Sequence, residues 1–193
     1  MSGLRDRLKQ ATAEEHERLE QQMPVMSEAF TLGDYRVLLE RMLGFYEPME
    51  EAMASAIRLD EWELEFSARR KVNALKHDLL ALGHTRESLN NIPRATNLPP
   101  VSTREDFLGI SYVLEGSTLG GSVIIRHLRK KWGSDLEGSQ FFNIYGPDVH
   151  DKWQQFCNWL NQYSDKVSEE QVVAAANATF NAMGGWLMRK DFA

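Results

Sequence analysis

Two stretches of the sequence carry residue types that could do chemistry together. One centres on His16, because a neutral imidazole is a common metal ligand. The other runs from Tyr112 to Ile125 and holds three glycines within six residues, at positions 116, 120 and 121. Each glycine costs a helix interior about 1 kcal/mol relative to alanine. A helix that keeps three of them indicates a backbone that must lie bare against a neighbour, or a bend.

The spacing of the glycines predicts which face of that helix is bare. Gly116 and Gly120 are four residues apart, so they lie one above the other on a helix, with Gly109 and Tyr112 on nearly the same stripe. The strip is free of side chains for about 6 Å along the axis. Either another helix packs closely on it or a flat ligand lies against it. A Gly-xxx-Gly spacing taken alone favours the packing interpretation.

His16 belongs to an amphipathic segment that we predict to be one continuous helix from about Gly3 to Glu20. Lys9 lies seven residues before His16, so on a continuous helix both share a side at roughly 10 Å. A lone histidine at such a position is more often a half-exposed surface residue than a ligand. The histidine therefore needs support from elsewhere in the chain before it is assigned a role.

The elements that must position these residues are all predicted to be helical. Apolar periodicity and capping residues indicate further helices near 31–57, 67–82, 103–132, from 148 or 151 onward, and from 168. Pro48 is expected to kink the second helix or divide it in two. Because no strand pattern is found, the sequence predicts an all-α fold of about six or seven helices in a single domain, residues 1–193.

Composition and charge narrow the classes of function. The chain has 193 residues, 42% of them hydrophobic and 26% charged, which is ordinary for a soluble globular protein. A net charge of −6 argues against a nucleic-acid binder. The one cysteine, Cys157, excludes an internal disulfide and a cysteine-clustered zinc site. With no signal-peptide core and no bilayer-length apolar run, we expect a cytoplasmic protein with no membrane partner.

The motifs of several enzyme classes are missing from the sequence. It has no glycine-rich phosphate loop, no His-Glu-x-x-His and no Gly-x-Ser-x-Gly. A di-iron centre is disfavoured, because the glutamates before His16 stand one and two positions away rather than three. Ser117 has no histidine or aspartate partner nearby in the sequence, so a hydrolytic triad is unsupported.

The His16 segment and the glycine stretch together closely resemble the heme oxygenases, especially the bacterial ones. The matching segments are Ala11–Glu20 and, about a hundred residues later, Tyr112–Gly121. Chain length, all-α pattern and the positions of both segments extend the resemblance over nearly the whole chain. The resemblance implies a fold in which heme is sandwiched between the first helix and a kinked distal helix.

By this resemblance, His16 matches the proximal histidine that ligates the heme iron. Lys9 matches a lysine that pairs with a heme propionate, and Tyr112 matches a tyrosine that hydrogen-bonds one. Gly116 and Gly120 match the distal-helix glycines whose backbone approaches the other face of heme. The expected separation of Lys9 and His16 on one helix is comparable to the distance from the centre of heme to its propionates.

Two further distal positions are assigned in the same way. Gly121 matches the neighbouring glycine of the same helical turn. Ser117 stands where mammalian-type enzymes carry an aspartate that organises the distal waters, although some bacterial members also have serine there. A hydroxyl can bind water but cannot act as a carboxylate base near neutral pH. The resemblance therefore implies catalytic positions at Gly116, Ser117 and Gly120, with the water-ordering groups left open.

The resemblance also implies the reaction and its partners. Heme is both cofactor and substrate, and it is cleaved to biliverdin with release of CO and Fe(II), using O2 and electrons from an external ferredoxin- or reductase-type donor. The basic cluster at the end of the glycine helix, Arg126, Arg129, Lys130 and Lys131, suits the helix dipole and is also a candidate docking face for that donor. A bilin-using photoreceptor is a candidate consumer of the product, and a monomer is the default expectation.

Two alternatives remain at this point. The first is a heme carrier or sensor that binds heme on the same fold without degrading it, and Ser117 is the feature that supports it. The second is a non-heme member of the same all-α superfamily, such as a thiaminase-like enzyme. That second alternative leaves His16 and the glycine strip without a shared purpose.

Overall fold

The structure is a computed structural model that describes residues 3–56 and 66–189. These residues form helices and turns without a strand, which confirms the all-α prediction. Short 3-10 turns lie at Pro24–Met26 and Gly146–Asp148. The α-helices, in chain order, are α1 (Leu4–Ala11), α2 (Ala13–Gln22), α3 (Leu32–Ala56), α4 (Val72–Ala81), α5 (Arg86–Asn90), α6 (Arg104–Trp132), α7 (Val149–Asn161) and α8 (Glu169–Leu187).

The prediction of one continuous first helix is wrong, because the chain breaks at Thr12 between α1 and α2. Thr12 has φ −107° and ψ 3°. Its buried hydroxyl donates to the carbonyl of Leu8 at 2.9 Å, an arrangement that often bends a helix. The separation of Lys9 and His16 expected on a straight helix therefore does not apply, since the break lies between them.

Of the two outcomes predicted for Pro48, a kink or a division of the helix, the division is wrong. The helix α3 runs through Pro48 without interruption. Proline cannot donate to the carbonyl four residues before it, and the backbone N–H of Ala95 takes that place by donating to Gly44 at 2.9 Å. Gly44 permits this close approach, because a Cβ there would lie 2.5 Å from the carbonyl oxygen of Pro93. The predicted end of this helix, Ile57, lies outside the described residues.

The helix α6 carries the glycine stretch and forms the centre of the fold. By length and mean hydropathy it could cross a membrane, but 61% of its apolar window is buried inside the fold. It packs against both α7 and α8. Its N-terminal half lies against α8 at Gly109, where a Cβ would be 2.5 Å from the carbonyl oxygen of Val172. The packing interpretation of the small-residue stripe is therefore correct at Gly109.

A buried aspartate fixes the segment that follows α6. Asp78 on α4 is fully buried and accepts hydrogen bonds from the backbone N–H groups of Gln140 and Phe141, at 2.9 and 2.7 Å. The hydroxyl of Tyr35 on α3 donates to the carbonyl of Gly138 at 2.7 Å. These bonds hold the segment 138–142 against the middle of α6, where its phenylalanines become part of a cavity wall.

Candidate functional site

A cavity of about 670 Å³ lies between α2 and the glycine-containing part of α6. This volume is within the range of small-molecule and cofactor sites. Its wall includes every residue that the sequence singled out for binding or catalysis: Lys9, His16, Tyr112, Gly116, Ser117, Gly120 and Gly121. Most of the remaining wall is apolar and includes Met23, Met42, Phe141, Phe180 and Met183. The predicted residues therefore share one cavity, while the role of each stays a prediction.

His16 lies on α2 at one wall of the cavity. Its side chain is 51% exposed, and its Nδ1 lies 3.7 Å from the nearer carboxylate oxygen of Glu20, one turn later. The ring of Phe180 on α8 contacts the imidazole edge to face, with the ring centres 5.8 Å apart. Because 3.7 Å is longer than a hydrogen bond, Glu20 biases the orientation of the ring rather than fixing it. The imidazole keeps one nitrogen available for a ligand.

The opposite wall is backbone at two of the three glycines. A Cβ built on Gly120 would have no atom of the described residues within 4 Å, and one on Gly116 would meet the ring of Trp153 at 3.6 Å. Gly121 differs, because its Cβ would lie 3.3 Å from Phe142. Gly120 therefore borders open space in the cavity, Gly116 borders the cavity beside Trp153, and Gly121 allows the segment 138–142 to pack against α6.

Ser117 is held by two hydrogen-bond partners. Its hydroxyl donates to the carbonyl of Leu114 at 2.7 Å, and it lies 2.9 Å from the hydroxyl of Tyr46 on α3. Because serine has a single hydroxyl proton, Tyr46 must be the donor in the second bond. Burial raises the pKa of Tyr46, which is 1% exposed, so its phenol keeps its proton. Ser117 can thus offer the cavity a lone pair but not a proton.

Tyr46 precedes Ser117 by 71 residues, and no pattern in the sequence predicted their contact. A tyrosine in an apolar helical stripe is usually assigned to the core, and Tyr46 is indeed a core residue. A signal would have required knowing that Tyr46 on α3 meets Ser117 on α6 at the cavity.

A buried ionic cluster adjoins the cavity through Lys71. Glu115 on α6 accepts hydrogen bonds from Lys71 Nζ at 2.9 Å, from the Tyr145 hydroxyl at 3.1 Å and from the Arg69 guanidinium. The side chains of Lys71 and Glu115 are 3% and 2% exposed. Sequence reasoning missed this cluster, because a glutamate beside glycine and serine in a helix gives no sign that its partners arrive from residues 69–71 and 145.

The α1 end of the cavity combines two cations with a phenol. Arg5 and Lys9 are four residues apart on α1 and both line the cavity, although the sequence pointed only to Lys9. Tyr112 also lines this end, and burial raises the pKa of its phenol. Guanidinium, ammonium and phenol groups all donate hydrogen bonds to carboxylates. This end of the cavity suits an anionic part of a ligand.

Two of the four basic residues at the end of α6, Arg129 and Lys131, donate hydrogen bonds to other segments of the chain. Lys131 donates to three backbone carbonyls of the segment 27–30, at 3.2, 2.6 and 2.7 Å. Arg129 donates to a serine hydroxyl at 3.2 Å. Arg126 and Lys130 are exposed. The candidate docking face is therefore best represented by Arg126 and Lys130, since Lys131 holds the segment that directly follows the cavity-lining residues Val25 and Met26.

Comparison with known sequences found a matching family model and a curated relative. A family model described as "Heme oxygenase" matches residues 2–189. A curated heme oxygenase from Xanthomonas campestris pv. campestris (strain 8004) is 30% identical over 140 residues, which is 72% of this chain and 77% of that protein.

Comparison with solved structures gives the same fold. Heme oxygenase from Leptospira interrogans aligns with a TM-score of 0.78 at 21% identity, covering 96% of this chain and 98% of that one. The NO- and CO-bound heme oxygenase from Neisseria meningitidis aligns with a TM-score of 0.73 at 20% identity, covering 97% and 91%. Heme oxygenase 2 from Chlamydomonas reinhardtii, solved without heme, aligns with a TM-score of 0.76 at 14% identity, covering 100% and 98%. At these identities the likeness speaks to the fold alone.

Proposed function

The chain belongs to the heme oxygenase family, and from that premise we propose that it cleaves heme oxidatively to biliverdin. The reaction releases CO and Fe(II) and uses O2 and electrons from an external donor. The observation that carries the proposal is that His16 and the open wall at Gly116 and Gly120 line the same cavity. Cytoplasmic location, a monomeric state and a bilin-using photoreceptor as consumer of the product stay predictions.

The residues of the cavity fit heme on three counts. The wall is mostly apolar, as the macrocycle requires, and Gly120 leaves open the space that a Cβ would fill. His16 supplies an imidazole from α2. Arg5, Lys9 and Tyr112 supply donors for the two propionate groups. Heme, when bound, supplies the iron and the redox chemistry and is also the molecule that is cleaved.

His16 is the proposed iron ligand, through Nε2. Its Nδ1 faces the Glu20 carboxylate, and a carboxylate partner favours a proton on that nitrogen and leaves the other free to ligate. A neutral imidazole also lacks the electron push of the thiolate ligand that favours O–O cleavage in other heme enzymes. In this proposal Glu20 favours one tautomer of His16 and biases the orientation of its ring.

Arg5, Lys9 and Tyr112 are the proposed orienting residues. Because two carboxylates of heme lie on one edge of the macrocycle, cations at one end of the cavity fix how the ring is rotated in its plane. In bound heme, that rotation would determine which meso carbon faces the bare backbone at Gly116 and Gly120. These three side chains therefore influence the position of ring opening as well as affinity.

Ser117 and Tyr46 are the proposed acceptor side of the distal wall. The hydrogen-bond chain from Tyr46 through Ser117 to the carbonyl of Leu114 leaves a lone pair on the serine oxygen for a water molecule. Water can be held there without a carboxylate. A different group must then donate a proton or a hydrogen bond to that water.

The second candidate function is a heme carrier or sensor, and the locked hydrogen bonds of Ser117 favour it. One assay separates the two: hemin is added to the protein, and ascorbate or a reductase pair is then supplied in air. The proposal predicts a Soret band that decays as biliverdin absorption grows. A Soret band that persists would identify a carrier, and no band at all would contradict both.

The same assay tests the axial ligand. His16→Ala removes the one histidine that lines the cavity within the described part of the chain, so the histidine-ligated spectrum is expected to be lost. His77→Ala is the matched control, because His77 is an exposed histidine outside the cavity. A histidine-type spectrum that survives in His16→Ala would show that the ligand assignment is wrong.

A further inference from the structure

We propose that Lys71 positions the distal water, by donating a hydrogen bond into the cavity on the side of Ser117 and by supplying a positive charge there. This inference rests on the proposed function and deepens it. The Lys71 ammonium donates the hydrogen bond to this water that Ser117 cannot donate, since the hydroxyl proton of Ser117 is already bonded to the carbonyl of Leu114.

The ammonium of Lys71 has three N–H groups, and two of them have an acceptor among the described residues. Lys71 Nζ donates to Glu115 at 2.9 Å and to the carbonyl of Arg69 at 2.9 Å. An ammonium carries three donors, and no acceptor among the residues that the structure describes takes the third. The ring of Tyr145 lies 5.9 Å from Nζ and helps to hold the charge. A side chain only 3% exposed therefore retains a donor for a ligand or a water.

The place of Lys71 between two cavities gives that donor a target. A second cavity of about 30 Å³, lined in part by Glu115 and Arg69, lies beside the large one. Lys71 and Tyr46 belong to the walls of both cavities. About 10–15 Å³ of such space holds one water, so the smaller cavity is large enough for water. The wall between the ligand cavity and this smaller, mostly apolar cavity thus contains an ammonium and a phenol, both of which can bind water.

Lys71 shares its carboxylate partner with a second cation. Glu115 on α6 forms ion pairs with both Lys71 and Arg69, so its negative charge is divided between them. Glu50 on α3 accepts from the backbone N–H of Lys71 at 2.6 Å and forms its own ion pair with Arg70 at 3.1 Å. A positive charge at the edge of the cavity stabilises the deprotonated form of a water bound nearby.

The test is the pH titration of the absorption spectrum of the ferric heme complex, which reports the change from bound water to bound hydroxide. Lys71→Met should raise the midpoint by about one pH unit, because that is the effect of removing a unit charge roughly 10 Å away through an effective dielectric near 20. Lys71→Arg should restore the midpoint toward that of the parent chain. Lys166→Met is the matched control, since Lys166 is exposed and lies outside the cavity, and it should leave the midpoint unchanged.

A second variant shifts the midpoint in the opposite direction. Glu115→Gln keeps acceptors for Lys71 and Arg69 but removes the negative charge, so the midpoint should fall. An unshifted midpoint in folded, hemin-binding Lys71→Met overturns the inference. If that variant does not fold, a midpoint unchanged or raised in Glu115→Gln overturns it instead. Failure of the parent chain to give a Soret band would overturn the proposed function, and this inference with it.

Discussion

Three glycines of α6 that lie close to one stripe meet different surroundings. Gly109 meets the backbone of α8, whereas Gly116 and Gly120 border the cavity. The same residue type thus serves helix packing at one place and ligand access at the other. The sequence showed the stripe but not where its role changes, because the crossing point of α6 and α8 is set by long-range packing.

The packing role of Gly109 predicts a large loss of stability in Gly109→Ala. A Cβ there would lie 2.5 Å from the Val172 carbonyl oxygen and 2.7 Å from the Ala175 Cβ, so α8 must move. We expect the free energy of unfolding to fall by about 1–3 kcal/mol, as in other overpacked cores. Urea denaturation measures it.

Gly185→Ala is the matched control for that prediction. Gly185 also lies inside a helix, but a Cβ there would have no described atom within 4 Å. The gain in helix propensity should raise the free energy of unfolding by up to about 1 kcal/mol. Equal effects of the two substitutions would contradict the assignment of Gly109 to packing.

At the scale of elements, apolar periodicity and capping residues predicted which segments are helical, but they did not predict where a helix breaks or continues. The break at Thr12 depends on a buried hydroxyl bonded to Leu8, and burial of that hydroxyl was not visible in an amphipathic pattern. The continuity of α3 across Pro48 depends on Ala95, which supplies the missing donor to Gly44. Both outcomes are set by segments distant in the sequence, so propensity alone could not decide them.

The exposed cations at the end of α6 lead to a prediction about the KM for the electron donor. Arg126 and Lys130 are exposed and one turn apart, and cations at a rim mainly speed association with an acidic partner. The double substitution Arg126→Glu and Lys130→Glu should raise the KM for an acidic donor about tenfold at low salt and weaken its salt dependence. Steady-state turnover over a range of ionic strength measures both.

A charge-matched double variant controls for net charge. Arg86→Glu and Lys166→Glu change the charge of the chain by the same amount at exposed positions outside α6. This control should keep the KM of the parent chain. If both double variants behave alike, or neither changes KM, the end of α6 is not the docking face.

At the scale of the whole molecule, the cavity wall is assembled from α1, α2, α3, α6, α7 and α8, together with the turn Pro24–Met26, Lys71 and the segment 138–142. Charged pairs tie the layers together outside it. Glu47 on α3 pairs with Lys76 on α4 and with Arg94 in the segment before α6. Such pairs between distant segments could not be predicted from one sequence, although the hydrophobic helical faces that bring them together could.

Glu47 predicts a specific dependence of stability on pH. Burial raises the pKa of Glu47, but its hydrogen bonds to Lys76 and Arg94 outweigh burial, so the net pKa lies below the usual 4.5. A lowered pKa means that the stabilisation is present above the unfolded pKa and is lost as the pH falls through the folded one.

Glu47→Gln should therefore lower the free energy of unfolding at pH 7 by about 1–3 kcal/mol, and the difference from the parent chain should shrink below pH 4.5. Urea denaturation across that range measures it, with Glu51→Gln as an exposed control. A difference that stays constant with pH would show that the charge of Glu47 is not the cause.

The most direct measurement for the whole account is hemin titration of Gly120→Leu beside Gly185→Leu. Both substitutions place the same side chain in a helix at a glycine whose Cβ meets no described atom within 4 Å, but only Gly120 lines the cavity. If heme lies against the α6 backbone opposite His16, Gly120→Leu should weaken hemin binding by at least about tenfold, which is 1.4 kcal/mol, while Gly185→Leu leaves it unchanged. Equal hemin affinity in the two variants would contradict the account.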